Sequence, residues 1–297
     1  MAEARRTSHG WKADAPQPVP SGSELAALIE IWCRGDRTVL AGFDFPIGVP
    51  VTFGVQTGFR DFKDALSKFG GGEWNRFFDV ADSPEEISLR RPFYPRTYPK
   101  GRRRADLLDA LGVGTIDELR RECERKTDNR PAACSLFWTL GGNQVGKAAI
   151  NGWQNVIRPA LAGGARLWPF DGSLDELSKS PGCVLAETYP REAYSHVGVS
   201  LGPHQSKRKQ DHRRVAMEQL PLLAKKSNVT FTSSAQEAFH DGFGSKDSGE
   251  DPFDAFVGLL SMIKVVAGRR PEGGRSLSGE VARWEGWILG QREPRIA

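Results

Sequence analysis

Four carboxylates stand where carboxylates are costly. Asp44 lies near the end of the apolar run Thr38-Val-Leu-Ala-Gly-Phe-Asp44-Phe, and Glu187 ends a second such run, Cys183-Val-Leu-Ala-Glu187. Asp251 and Asp254 open a strongly apolar helical pattern that extends to Ala267. An anionic oxygen at the end of apolar β-sequence is unfavourable unless a cation or hydrogen bonds compensate it. In open α/β sheets ligand sites lie at the carboxyl ends of the strands. Carboxylate oxygens suit Mg²⁺ or Mn²⁺, and two such ions about 4 Å apart can activate a water and stabilise the leaving oxygen of a phosphodiester. Read this way, Asp44, Glu187 and Asp254 are catalytic metal ligands, with Asp251 beside them, and all are expected to converge at one edge of a sheet. Each also has a structural reading. Asp44 could accept hydrogen bonds from the turn at Gly48, Glu187 could form a rim ion pair, Asp251 could cap its helix, and Asp254 could favour the positive helix end.

Cations form the second group. Between Ser88 and Arg104 there are seven basic residues and no acid, interleaved with Phe93, Tyr94 and Tyr98. Such a Pro-containing arm could lie along a nucleic-acid strand, its cations on phosphates and its rings on unpaired bases. Arg102, Arg103 and Arg104 are its densest part. Lys207 and Arg213, in the basic stretch from Lys207 to about Lys226, could also hold substrate phosphate. Gly141-Gly-Asn-Gln-Val-Gly-Lys147 fits the first part of a phosphate-binding loop. Position 148 is Ala, however, where a Ser or Thr should hold Mg²⁺. Lys147 therefore stands as a substrate-phosphate candidate, with a nucleotide-binding protein as the alternative reading. The five histidines show no metal-ligand spacing, and the four cysteines show no CxxC pair. Zinc knuckles and disulfide frameworks are therefore not expected.

These residues need a scaffold. The chain has 297 residues, 39% of them hydrophobic, enough to bury a core without staples. The Pro-rich polar start contains no apolar signal segment, and no run approaches the roughly 18 apolar residues of a membrane span. A cytoplasmic protein with reduced thiols is expected.

Ser21-Gly-Ser-Glu24 is a capping-box pattern, and Leu25, Leu28, Ile29 and Trp32 recur at helical spacing after it. Thr38–Phe45 reads as a strand buried on both faces. Residues 51–135 read as an inserted, largely helical and basic region, with a helix near 105–111 and an exposed charged helix from Asp117 to Lys126. Ser135–Leu140 is expected to be a strand, 148–161 a helix, Ala165–Phe170 and Cys183–Glu187 strands, and Val229–Phe231 a small strand. Asp251-Pro252 opens a helix, with Asp251 as its N-cap, and Gly268 ends it. Strands alternating with helices imply an α/β sheet.

Together, Ala41-Gly-Phe-Asp44-Phe-Pro-Ile-Gly48, Glu187-Thr-Tyr-Pro190, Lys207 with Arg213-Arg214, and Asp251-Pro-Phe-Asp254-Ala255 resemble the family known as domain of unknown function 429. Its members are taken to be ribonuclease-H-like nucleases. The resemblance spans about residues 37 to 267 and implies a ribonuclease-H-like mixed sheet flanked by helices. It further implies Mg²⁺ or Mn²⁺ chemistry at Asp44, Glu187 and Asp254. Similar proteins begin with a strand bearing Gly-(Ile/Val)-Asp, which this chain lacks before Asp44. Met1-Ala-Glu-Ala-Arg reads instead as the tail of the following hairpin strand. The reading adopted is that the sequence starts from a codon too far downstream, with a degenerate, non-catalytic member as the competitor. The overall expectation is one ribonuclease-H-like domain over 1–297, a metal-dependent nuclease acting on RNA or DNA. The alternatives are a nucleotide-binding protein built on Gly141–Lys147, or an inactive nucleic-acid-binding module of the same fold.

Overall fold

A computed structural model describes residues 1–95, 104–127, 130–140, 144–202, 204–218, 220, 227–277 and 279–293. Six strands lie among them: β1 (Ala4–Thr7), β2 (Gly10–Ala13), β3 (Thr38–Phe43), β4 (Arg166–Leu167), β5 (Gly182–Glu187) and β6 (Val229–Phe231). The architecture is mixed α/β, with two small sheets of three strands each. The chain divides into two compact units. The first comprises Met1–Ser21, Thr188–Gly273 and Leu289–Arg292, and the second comprises Gly22–Glu187, Gly274–Ile288 and Glu293–Ala297. No described helix is long and apolar enough to cross a membrane.

The second unit is built on the parallel sheet β3-β5-β4. Central β5 is buried at every residue, whereas edge strand β3 is only partly covered. Helix Gly22–Arg34 turns Leu25 and Ile29 into the same core, as its spacing predicts. Segment 51–135 contributes helices Val51–Gln56, Phe62–Lys68 and Arg104–Leu111. Its aromatics join the strand residues in one cluster: Phe53, Phe62, Phe69, Phe77 and Phe93 are buried together with Leu167 and Leu185.

Three expectations for this unit need correction. Ser135–Leu140 is not a strand but a turn: Leu136 and Phe137 enter the core, and the Trp138 carbonyl accepts the backbone N–H of Gly146. Asp117–Lys126 is not an exposed helix. It forms two short 3₁₀ turns, Ile116–Leu119 and Glu122–Glu124, with Arg121 and Cys123 drawn fully inside. Of 165–170, only Arg166–Leu167 pairs in the sheet. Leu167 also donates its N–H to the Asp171 carboxylate at 2.7 Å.

The first unit holds the sheet β1-β2-β6. β1 and β2 form an antiparallel hairpin, and β6 runs parallel to β2. The long helix Glu250–Val266 buries Phe253, Phe256, Val257, Leu260 and Ile263 in a separate apolar cluster with Val197, Val229 and Phe239. Asp251 is not its N-cap. The helix begins at Glu250 with Gly249 as the cap residue, so Asp251 sits inside the first turn and is exposed. Of the expected basic helix, Gln210–Met217 is helical, and 221–226 lie outside the described residues.

Candidate carboxylate sites and their counter-ions

At the carboxyl edge of the parallel sheet, Phe43 of β3 registers with Glu187 of β5, so Asp44 follows one residue beyond that pair. Its side chain is exposed. The chain then turns through Pro46–Val49. Gly48 adopts φ +136°, and a Cβ there would stand 2.1 Å from the Glu285 carbonyl oxygen. Only glycine fits.

Glu187 is buried. One carboxylate oxygen accepts the Ile47 N–H at 2.7 Å and Arg121 Nη1–H at 2.7 Å, and the other accepts Arg121 Nη2–H at 2.7 Å. The fork is bidentate, the strongest form of such a pair. Arg121 also reaches Glu124 Oε1 from Nε and Nη2, at 3.1 and 2.9 Å, and the carbonyls of Ile47 and Glu285 from Nη1. One buried guanidinium thus joins two carboxylates and two backbone segments. Burial pushes the Glu187 carboxyl up from its usual range, against the pull of Arg121. Burial likewise raises the neighbouring Cys123 thiol and the Glu285 carboxyl. Glu285 accepts the N–H groups of Val51 and Glu122. Glu187 is therefore an internal ion pair rather than an open rim carboxylate.

Asp254 and Asp251 belong to the first unit. Asp254 is largely buried and accepts the Tyr194 hydroxyl on one oxygen and the Lys207 ammonium on the other. Lys207 also pairs with Glu250 at 2.9 Å, and Arg208 approaches Glu250 at 3.6 Å. Burial raises the Asp254 carboxyl, opposed by the bonds from Lys207 and Tyr194. Lys207 thus stands on carboxylates rather than waiting for phosphate.

Arg213 requires a correction. It is fully buried and donates to the carbonyls of Gly242 at 2.7 Å, Gly244 at 2.7 Å, and Lys207. It braces a loop and presents no surface to a substrate phosphate. The reason is the planar fork of guanidinium donors, which can satisfy several backbone carbonyls at once.

The basic arm is also partly internal. Phe93 and Tyr94 are buried in the core and are not stacking platforms. Arg90 pairs with Glu73, and Arg91 with Asp82 and Glu86. Arg104 is exposed at the start of its helix, and Arg102 and Arg103 lie outside the described residues. Lys147 is half-buried and donates to Gln144 Oε1 at 2.8 Å, while 141–143 lie outside the described residues.

Sequence reading missed Arg121, Glu124 and Glu285. The Arg121-x-x-Glu124 spacing was visible, but it resembles any solvated helical pair. A buried polar group in the first unit was missed as well. His196 Nδ1 lies 2.7 Å from Ser261 Oγ, its Nε2 has no hydrogen-bond partner among the described residues, and Glu192 stands 3.8 Å away. Burial, reinforced by Arg270, Lys264 and Arg292, drives its pKa down to about 3.

Among the described residues no group of three or more His, Cys, Asp or Glu side chains is gathered so as to hold a metal ion. Comparison with protein-family models, with curated proteins and with solved structures finds no match to the chain in any of the three.

Proposed function

We propose that this chain is a ribonuclease-H-like protein that hydrolyses phosphodiester bonds of nucleic acid, with a divalent cation, Mg²⁺ or Mn²⁺, held by Asp44. The supporting observation is the exposed carboxylate of Asp44, one residue past the Phe43–Glu187 register at the carboxyl edge of a parallel sheet. The donor set suits the ion in kind. Mg²⁺ keeps several waters and is commonly bound through one or two carboxylates together with substrate phosphates, not by an all-protein cage. Asp44 is such a carboxylate. Glu187 does not fit as a direct ligand, because Arg121 and the Ile47 N–H already occupy its oxygens. Its role here is to position: through Ile47 and Arg121 it holds the turn that follows Asp44. When bound, the cation would polarise a phosphoryl oxygen and lower the pKa of a water. Arg104, with Arg102 and Arg103, would neutralise the strand's phosphates.

The test is an assay of the purified full chain on single-stranded RNA, single-stranded DNA and an RNA–DNA hybrid, with Mn²⁺ or Mg²⁺. Cation-dependent cleavage lost by at least about 100-fold in Asp44→Asn is expected, in line with the removal of a transition-state interaction. Cleavage that survives Asp44→Asn overturns the assignment. Asp254→Asn belongs in the same assay, and an equal loss there would bring Asp254 into the reaction.

A non-catalytic nucleic-acid-binding module is the second reading. It is favoured by one observation: Glu187 and Asp254 are both already neutralised by cations of the chain itself, Arg121 and Lys207. Binding without cleavage under every cation tested would select it.

A further inference from the structure

A cleft of about 570 Å³ opens on the second unit. That lies within the usual range of small-ligand sites, roughly 300–1,000 Å³. Phe78, Lys147, Ile150, Asn151, Gln154 and Asn155 contribute to its wall. Five of the six come from one continuous helical run. Helix Val145–Gly152 passes into a π-turn, Trp153–Ile157, and continues as Arg158–Ala162. Such turns are rare and concentrate at functional sites.

The run is pinned beside Asp44. Trp153 Nε1–H donates to the Pro46 carbonyl at 2.7 Å, and Gly152 lies flat on Phe45, where a Cβ would come within 2.5 Å of the ring. Trp153, Val156 and Ile157 are consequently buried, while Asn151, Gln154 and Asn155 are exposed. Asn155 Nδ2–H donates to Asn151 Oδ1 at 2.7 Å. This bond uses one group of each exposed amide, so the pair keeps an acceptor, the Asn155 oxygen, and a donor, the Asn151 amino group. The edge of a nucleobase presents the complementary arrangement. Arg91 also lines the cleft, but its guanidinium is held by Asp82 and Glu86, and Asp79 is answered by Arg76 at 3.4 Å. Of the two cations lining the cleft, Lys147 meets a neutral amide, Gln144 Oε1 at 2.8 Å, rather than a carboxylate.

We propose that this cleft binds a nucleoside monophosphate unit, with Lys147 on the phosphate and Asn151, Gln154 and Asn155 on the hydrogen-bonding edge of the base. Phe78 and Ile150 supply apolar contact. The assignment concerns binding and does not rest on the hydrolytic reading.

Titration calorimetry of the full chain in EDTA tests it, with 5′-nucleoside monophosphates, the matching nucleosides and inorganic phosphate as separate titrants. A monophosphate is expected to bind at least about tenfold more tightly than either part alone, since a charge-assisted hydrogen bond adds to those on the base. Lys147→Ala should weaken the monophosphate about tenfold and leave the nucleoside unchanged. The double variant Asn151→Ala, Asn155→Ala should weaken both. Circular dichroism checks that the variants are folded, and Lys147→Gln repeats the first arm if Lys147→Ala is not. Absence of monophosphate binding to the parent chain, or unchanged binding in both folded variants, overturns the proposal. Because EDTA removes any divalent cation, either result is independent of whether Asp44 supports cleavage.

Discussion

At Glu187 the decisive quantity is the number of donors already on the carboxylate. Three hydrogen bonds, two of them from one arginine, satisfy it without any external ion. A buried pair of this kind contributes little net stability over an apolar replacement, but removing one partner strands the other charge. Arg121→Met should therefore destabilise the second unit by about 3–5 kcal/mol in urea unfolding, because Glu187 and Glu124 lose their shared counter-ion. A loss below about 1 kcal/mol would show that water reaches these carboxylates. His196 gives a pH-dependent outcome. Its folded pKa, about 3, lies below the unfolded value of 6.5. Above pH 6.5 neither state carries the proton, so stability does not change there. Between 6.5 and about 3 the unfolded state takes up a proton that the folded state refuses, and the first unit loses up to about 1.4 kcal/mol per pH unit. Denaturant midpoints from pH 7 to pH 4 should fall less steeply in His196→Gln. Equal slopes would mean that His196 protonates within the folded state.

At the scale of elements, strands β3 and β5 show what periodicity conveys and what it does not. Both read as apolar strands, and β3 as one buried on both faces, yet it is β5 that is buried throughout and has a neighbour on each side. Leu185→Ala in β5 should cost about 2–5 kcal/mol, whereas Thr38→Ala on the exposed end of β3 should cost under about 1 kcal/mol. Comparable losses would argue that β3 is covered. Gly152→Ala, which drives a methyl into Phe45, should cost about 1–3 kcal/mol by overpacking. Two helices were legible: Gly22–Arg34 from Ser21–Glu24 and the spacing of Leu25, Leu28, Ile29 and Trp32, and Glu250–Val266 from Pro252 and Gly268, although its cap fell on Gly249 and not on Asp251. Ser135–Leu140 was not, because an apolar run of that length packs equally well as a turn when its backbone finds other partners. Asp117–Lys126 was misread for the opposite reason. Its many charges suggest solvent, but Arg121 is taken inward by two carboxylates, one of them 66 residues away.

For the molecule as a whole, net charge is only +4, so attraction to nucleic acid must come from local placement. Replacing Arg102, Arg103 and Arg104 with alanine should flatten the salt dependence of single-strand binding, by up to about 0.7 in log–log slope for each phosphate no longer neutralised. An unchanged slope would remove the arm from the interface. The two units bury separate apolar clusters, one on each three-stranded sheet. Local sequence alone determined the mixed α/β class, the strand-end positions of Asp44 and Glu187, and the main helices, because 2.0 and 3.6 residue periods and end caps are short-range signals. Only the tertiary structure decided which charges are taken up inside the fold. Arg121 meeting Glu187, Lys207 meeting Asp254 and Arg213 meeting the Gly242 and Gly244 carbonyls are long-range pairings. Their partners are chosen by packing, and a charge carries no mark in sequence of the counter-ion that will bury it.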